Sequence, residues 1–158
     1  GWEANCWESF GDNPYFGGNG VVGRAWDSTY ADNGTDINTN VLQAFNYFEQ
    51  RGVKKYFTRA RPSIFTDGLP SVLVSMNIDY DISDPTSALS YSPSSYGLWD
   101  IGTWDASSWG QGLMITNNFQ GITGIGYCGG IHLKSASQTL QLEWAATDVV
   151  YQTGWAGI

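Results

Sequence analysis

The sequence predicts an all-β fold, an antiparallel β-sandwich of jelly-roll-like kind preceded by a β-hairpin. Three observations carry that expectation. Aromatic residues make up 15% of the chain and Gly contributes 20 residues, charged residues are only 14%, and short alternating apolar segments recur between turns rich in Gly, Asn and Ser. Charge this sparse excludes a coiled coil, a helical bundle and a disordered acidic tail. The 158 residues suffice for one core, which at this size buries about two-thirds of the unfolded surface. No apolar run approaches the roughly 18 residues of a membrane helix, and no signal-peptide pattern stands at the start.

Each element follows from local chemistry. Residues 13–24 (NPYFGGNGVVGR) set Gly-Gly-Asn-Gly between an aromatic run and a Val pair, a hairpin signal. Residues 29–36 (TYADNGTD) are a loop, because Asn-Gly and Asp favour turns with positive φ. A break at 27–36 divides a hairpin region, residues 1–30, from a sandwich domain, residues 31–158. Residues 40–50 (NVLQAFNYFEQ) fit two periods. Val41, Leu42, Phe45 and Phe48 suit a helix face capped by Asn40 and ended by Gly52, whereas Ile37, Thr39, Val41, Gln43, Phe45 and Tyr47 suit a strand face. Enrichment in β-branched and aromatic residues favours the strand, which would pair with residues 54–65 across a turn at 49–52.

Residues 72–82 alternate most regularly. Val72, Val74, Met76, Ile78, Tyr80 and Ile82 share one face, and Ser75, Asn77, Asp79 and Asp81 the other, as in a half-buried strand. Residues 84–96 (DPTSALSYSPSSY) form a long Ser/Pro-rich connection. Residues 113–116, 121–135 and 139–150 read as three more strands. In the last, Leu140, Leu142 and Trp144 alternate with Gln141 and Glu143.

Fifteen acidic against seven basic residues give a net charge of -8, which disfavours general binding of nucleic acid. Five of the seven bases, Arg51, Lys54, Lys55, Arg59 and Arg61, fall within residues 51–61. They form either a solvated strand face that discourages edge pairing or a contact with an acidic neighbour subunit or nucleic acid. In residues 98–112, Trp99, Trp104 and Trp109 recur every five residues, with Asp100 and Asp105 after two of them. That period matches neither strand nor helix and is far below the roughly 40–45 residues of propeller repeats. The segment is either a loop anchored by indoles on its own sheet or an exposed aromatic surface for a partner subunit or sugar rings.

Chemistry-bearing residues are few. His132 is the single histidine and reads as a satisfied structural group, since no nucleophile-elbow spacing accompanies it. One His and two distant Cys offer no zinc spacing. Cys6 and Cys128 read as free buried thiols, although their spacing does not exclude a bridge. Asp79, Asp81 and Asp84 could offer oxygens to calcium but lack the turn Gly and late Glu of a calcium loop. Glycoside hydrolysis needs two facing carboxylates, and Glu3, Glu8, Glu49 and Glu143 show no such pair. Gly17, Gly18 and Gly20 precede a strand instead of a Lys-containing helix start, so no phosphate loop is present. The sequence thus leads to no expected catalytic, cofactor or metal site.

A family resemblance rests on several segments. The opening GWEANCW and NPYFGGNGVVGRAWD resembles the closing propeller blade of virion proteins of tailed bacteriophages. QAFNYFEQRGVKKYFTRARP, VSMNIDYD, LWDIGTWDASSWG, GITGIGYCGGIHLKS and LEWAATDVVYQTG resemble the carboxy-terminal β-domain of those proteins. The family is that of hub or head-closure proteins of short-tailed, podovirus-type phages, packaged-DNA stabilization proteins included. The resemblance covers nearly the whole chain and carries no catalytic signature. It implies a non-enzymatic virion component, without cofactor or membrane, forming a ring of identical subunits at the portal vertex among other virion proteins. Direct contact with DNA stays open. The start at Gly1-Trp2 and the lack of most of a propeller suggest part of a longer chain. Expected partner-binding residues are Arg51, Lys54, Lys55, Arg59, Arg61, Trp99, Trp104 and Trp109. The alternative is a carbohydrate-binding module stacking those tryptophans on sugars.

Overall fold

The computed structural model describes residues 4–26, 30–90, 96–97, 108–109 and 113–154. Asn19 and Gly20 take φ of 48° and 77°, the backbone that a two-residue hairpin turn requires. They join β2 (Asn13–Gly18) to β3 (Val21–Arg24) as the expected antiparallel hairpin. A strand the sequence reading omits, β1 (Cys6–Phe10), pairs with β2 and completes a three-stranded sheet in the order β1-β2-β3. Trp7 packs on Phe16 across that sheet, with ring centroids 5.4 Å apart.

The remaining chain forms two larger sheets. It runs through β4 (Ile37–Leu42), β5 (Lys55–Thr66), β6 (Ser71–Ile78), β7 (Ser87–Ala88), β8 (Tyr96–Gly97), β9 (Ser108–Trp109), β10 (Met114–Thr116), β11 (Gln120–Gly126), β12 (Gly129–Ser137) and β13 (Leu142–Thr153). One sheet has the order β4-β12-β6-β7; in the other, β5 pairs with β13 along one edge and with β10 and β11 along the other. All these pairings are antiparallel, as expected, and β8 with β9 makes a short parallel pair. The fold is all-β and sandwich-like, with no helix among the described residues.

The core lies where the two sheets face each other. Phe57, Ala60 and Ile64 of β5 meet Val72 and Val74 of β6, Ile122 of β11, and Ile131 and Leu133 of β12, all at most 3% exposed. Full burial of each large apolar side chain contributes about 1.5–3 kcal/mol. Gly124 and Gly126 close one side of the sandwich, because a Cβ at either would stand 1.8 Å or 2.1 Å from Ile78 carbon atoms. The bare backbone of β11 thus receives the Ile78 side chain.

Four expectations need correction. The strand expected over 40–50 ends at Leu42 and pairs with β12 rather than with β5. Phe48 and Glu49 take φ of 47° and 67° and close a turn through Gln50 N–H to Tyr47 C=O, so the chain leaves the ladder before it reaches β5. Residues 121–135 are two strands in different sheets, since the chain crosses the sandwich between Gly126 and Gly129. The strand at 72–82 stops at Ile78, where left-handed Asp79 and Tyr80 turn the chain and leave Tyr80 and Ile82 62% and 74% exposed. Finally, Cys6 is exposed while Cys128 is buried; both are free thiols.

Candidate interaction surface

The basic stretch does not form one patch. Period two along β5 sends Lys55 and Phe57 inward, and a bulge then changes the parity, because Val150 faces Arg59 while Tyr151 already faces Phe57. Ala60, Pro62, Ile64 and Thr66 therefore point inward, and Arg59, Arg61, Ser63 and Phe65 lie on the outer face. The Thr58 hydroxyl donates to the Val150 carbonyl at the bulge, 3.1 Å away.

Lys55 is fully buried, which removes it from any partner-binding surface. Its Nζ donates to the carbonyl oxygens of Gln50 (2.5 Å), Val53 (2.9 Å) and Tyr127 (3.0 Å), so all three ammonium donors are used internally. Asp79 works from the other side: its carboxylate accepts the N–H groups of Tyr127 and Cys128 at 2.8 Å and 3.1 Å. Together these two side chains pin the loops at 43–54, 79–83 and 127–128 into one end of the sandwich.

That end gathers aromatic rings and two cations. Tyr47 Oη and Tyr80 Oη are 3.1 Å apart, and the Phe45 and Tyr80 ring centroids are 4.8 Å apart. Arg51 lies over Tyr47 at 5.0 Å and Lys54 over Tyr127 at 5.8 Å, both cation–π geometries. The hydrogen bond with Tyr80 pushes the Tyr47 phenol above its ordinary value of 10.0. Two adjacent turns here each place a pair of non-Gly residues at positive φ, Phe48–Glu49 and Asp79–Tyr80, a conformation with an energetic cost that surrounding contacts must hold in place. Sequence reading missed Tyr47, Tyr80 and Tyr127 as a group, because three separate loops supply them.

Arg59 and Arg61 lie elsewhere, on the outer face of the β5 sheet. Arg61 donates from Nε and a terminal nitrogen to Asp148 Oδ2 at 2.9 Å and 2.6 Å, and its guanidinium stacks over Phe119 at 4.8 Å. Arg59 is exposed with no ion pair among the described residues. Around them Ile115, Phe119, Ile125 and Val150 are 42–53% exposed. Exposed aliphatic and aromatic groups around arginines have the composition of a protein interface.

Other chemistry-bearing groups are engaged inside the fold. His132 is 3% exposed. Its Nδ1 lies 2.9 Å from the Ser83 carbonyl oxygen and 3.3 Å from Asn77 Nδ2, and its Nε2 lies 2.6 Å from Asn40 Oδ1, so both ring nitrogens are engaged within the fold. Buried Asn77 donates to the Asp81 and Ser83 carbonyls, so the polar face of β6 is covered by the loop that follows it. Hydrogen bonds from Ser83 hold Asp81 below the ordinary carboxyl value, and one from Lys134 does the same for Asp84. Burial pushes the Cys128 thiol up. Among the described residues no three His, Cys, Asp or Glu side chains are grouped to hold a metal ion, and no helix is long and apolar enough to cross a membrane.

Trp99 and Trp104 lie outside the described residues, and Trp109 is described only through its backbone in β9. Compared with protein-family models, curated proteins and solved structures, the chain matches none.

Proposed function

We propose that the chain is a non-enzymatic structural part of a bacteriophage particle, a hub or head-closure protein at the portal vertex that helps retain packaged DNA. It acts by surface contact with copies of itself in a ring and with other virion proteins. The observation that carries this reading is the outer face of the β5 sheet, where exposed Arg59 stands among Val150, Ile125 and Phe119. A ring interface is heterologous, so this face meets a different, acidic surface on the next copy, and a net charge of -8 supplies such surface. The test is Arg59→Glu with Arg61→Glu in the phage, read as particle assembly and genome retention. Normal particles from a folded double variant would refute the role.

A second reading, a carbohydrate-binding module, is favoured by the Tyr47, Tyr80 and Tyr127 end, where fixed phenol rings give stacking area at little entropic cost. Glycan-array screening with a tryptophan-fluorescence titration separates the two. A saturable sugar response abolished by Tyr80→Ala supports the module, and its absence removes that reading.

A further inference from the structure

The two long unpaired edges of the sandwich lie on one side. Among the described residues β4 pairs only with β12, and β13 only with β5. The opposite side is shut by Ile78 against Gly124 and Gly126. On the open side the inward-pointing residues of β4 are wet: Ile37 is 45% and Val41 39% exposed, although they share the face of Thr39, which lies across from core residue Val72 through Ser135. Between the sheets a hollow of about 330 Å³ is lined by Phe48, Met76, Ile131 and Val149 together with the polar Gln43, Asn46 and Thr147.

Natural edge strands are shielded by Lys, Pro or bulges. β5, in the sheet centre, carries Lys55, Arg59, Arg61 and Pro62, whereas the edges β4 (INTNVL) and β13 (LEWAATDVVYQT) contain no Lys, Arg or Pro, and the bulge of β13 itself, at Ala145, lies toward its start and leaves Ala146 to Thr153 regular. The carboxylates of β13, on Glu143 and Asp148, stand opposite Phe65 and Arg61 on the outer face, and Asp148 is neutralised by Arg61. On the open side the inward faces of β4 and β13 therefore carry no charged side chain, in a chain of net charge -8. A strongly charged partner finds nothing to pair with there, while an identical surface finds its own complement without repulsion.

We propose that two copies of this chain join across the open side about a two-fold axis, β13 pairing antiparallel with β13 of the second copy and β4 meeting β4 in the other layer. With the axis through Val149, Asp148 stands beside Val150 and Thr147 beside Tyr151 across the seam, so no carboxylates oppose and inward residues stay inward. About that axis residues Ala145 to Thr153 overlap, which extends for about 30 Å, and a side about 20 Å deep gives roughly 600 Å² per copy, or about 1,200 Å² in all, the lower end of the range for stable dimers. This contact is separate from the outer face that carries Arg59, and it does not depend on the virion reading.

Sedimentation velocity of the purified chain from about 1 to 100 μM, spanning ordinary dimer affinities, decides the matter. A dimer is expected, with Ile37→Lys plus Val41→Lys weakening it at least about 100-fold at an unchanged circular-dichroism spectrum. Arg59→Glu should leave the dimer intact, which separates failure here from failure of the virion reading. A wild-type monomer throughout the range, or a folded double variant that still dimerises, overturns the proposal. If the double variant does not fold, amide exchange of the wild-type chain takes its place. Slow exchange along both β4 and β13 supports the seam, and fast exchange of their outward amides overturns it.

Discussion

Replacing Lys55 by Met is the sharpest probe of the claim that this residue holds the fold and does not face a partner. Met keeps the stem and loses the ammonium, leaving the carbonyls of Gln50, Val53 and Tyr127 without their shared donor. Hydrogen bonds from a charged donor contribute about 1.5–3 kcal/mol each, which would total well above 4 kcal/mol. Gln50 and Val53 lie in a partly exposed loop, however, so water can reach some of what is lost, and burying an ammonium has its own cost. We expect a net loss of about 3 kcal/mol, or about 6–12 °C in Tm for a chain of this size. Urea denaturation with an unchanged m-value measures it, with Lys54→Met as the exposed control expected to cost below about 1 kcal/mol. Equal, small losses for both variants would refute the pinning role and return Lys55 to the surface.

Further outcomes follow from the same geometry. Gly124→Ala should cost about 1–3 kcal/mol by overpacking, and less in an Ile78→Val background, because valine lacks the Cδ1 atom that the new methyl meets; equal costs in both backgrounds would contradict the notch. Cys6 should react with a maleimide in the native chain while Cys128 reacts only after denaturation, countable by mass spectrometry. Asp81 and Asp84 are depressed in the folded state, so each stabilises the fold above the ordinary value of 3.8, and that stability is lost as the pH falls through the depressed values. An acid denaturation profile should accordingly flatten in Asp84→Asn, and an unchanged profile would deny the Lys134 pairing a role.

Local signals carried the strands and turns, and long-range geometry decided their partners. The β2–β3 hairpin and the extent of β5 were legible because Asn-Gly and period-two alternation act over a few residues. The partner of β4 was not, and the expected pairing of residues 40–50 with residues 54–65 fails because left-handed Phe48 and Glu49, neither of them Gly or Asn, turn the chain without announcing it. A usable signal did exist for Lys55: it stands two residues before Phe57, and period two places both inward. For Arg59 the bulge intervenes, and nothing local marks it. Crowding of Ile78 against β11 explains Gly124 and Gly126, but only once the sandwich is closed.

The path of the chain also sets when it can fold. Arg61 and Asp148 are 87 positions apart, and Asn40 and His132 are 92 apart. Each central sheet therefore waits for a partner that is translated late, about 5–20 s behind at ordinary elongation rates. Until β13 leaves the ribosome, β5 exposes one whole edge and a row of core side chains to any other nascent chain nearby. Closing loops this long before any reward makes spontaneous folding slow. Expression yield should then respond to chaperone supply and to translation speed more than to substitutions that alter the native surface.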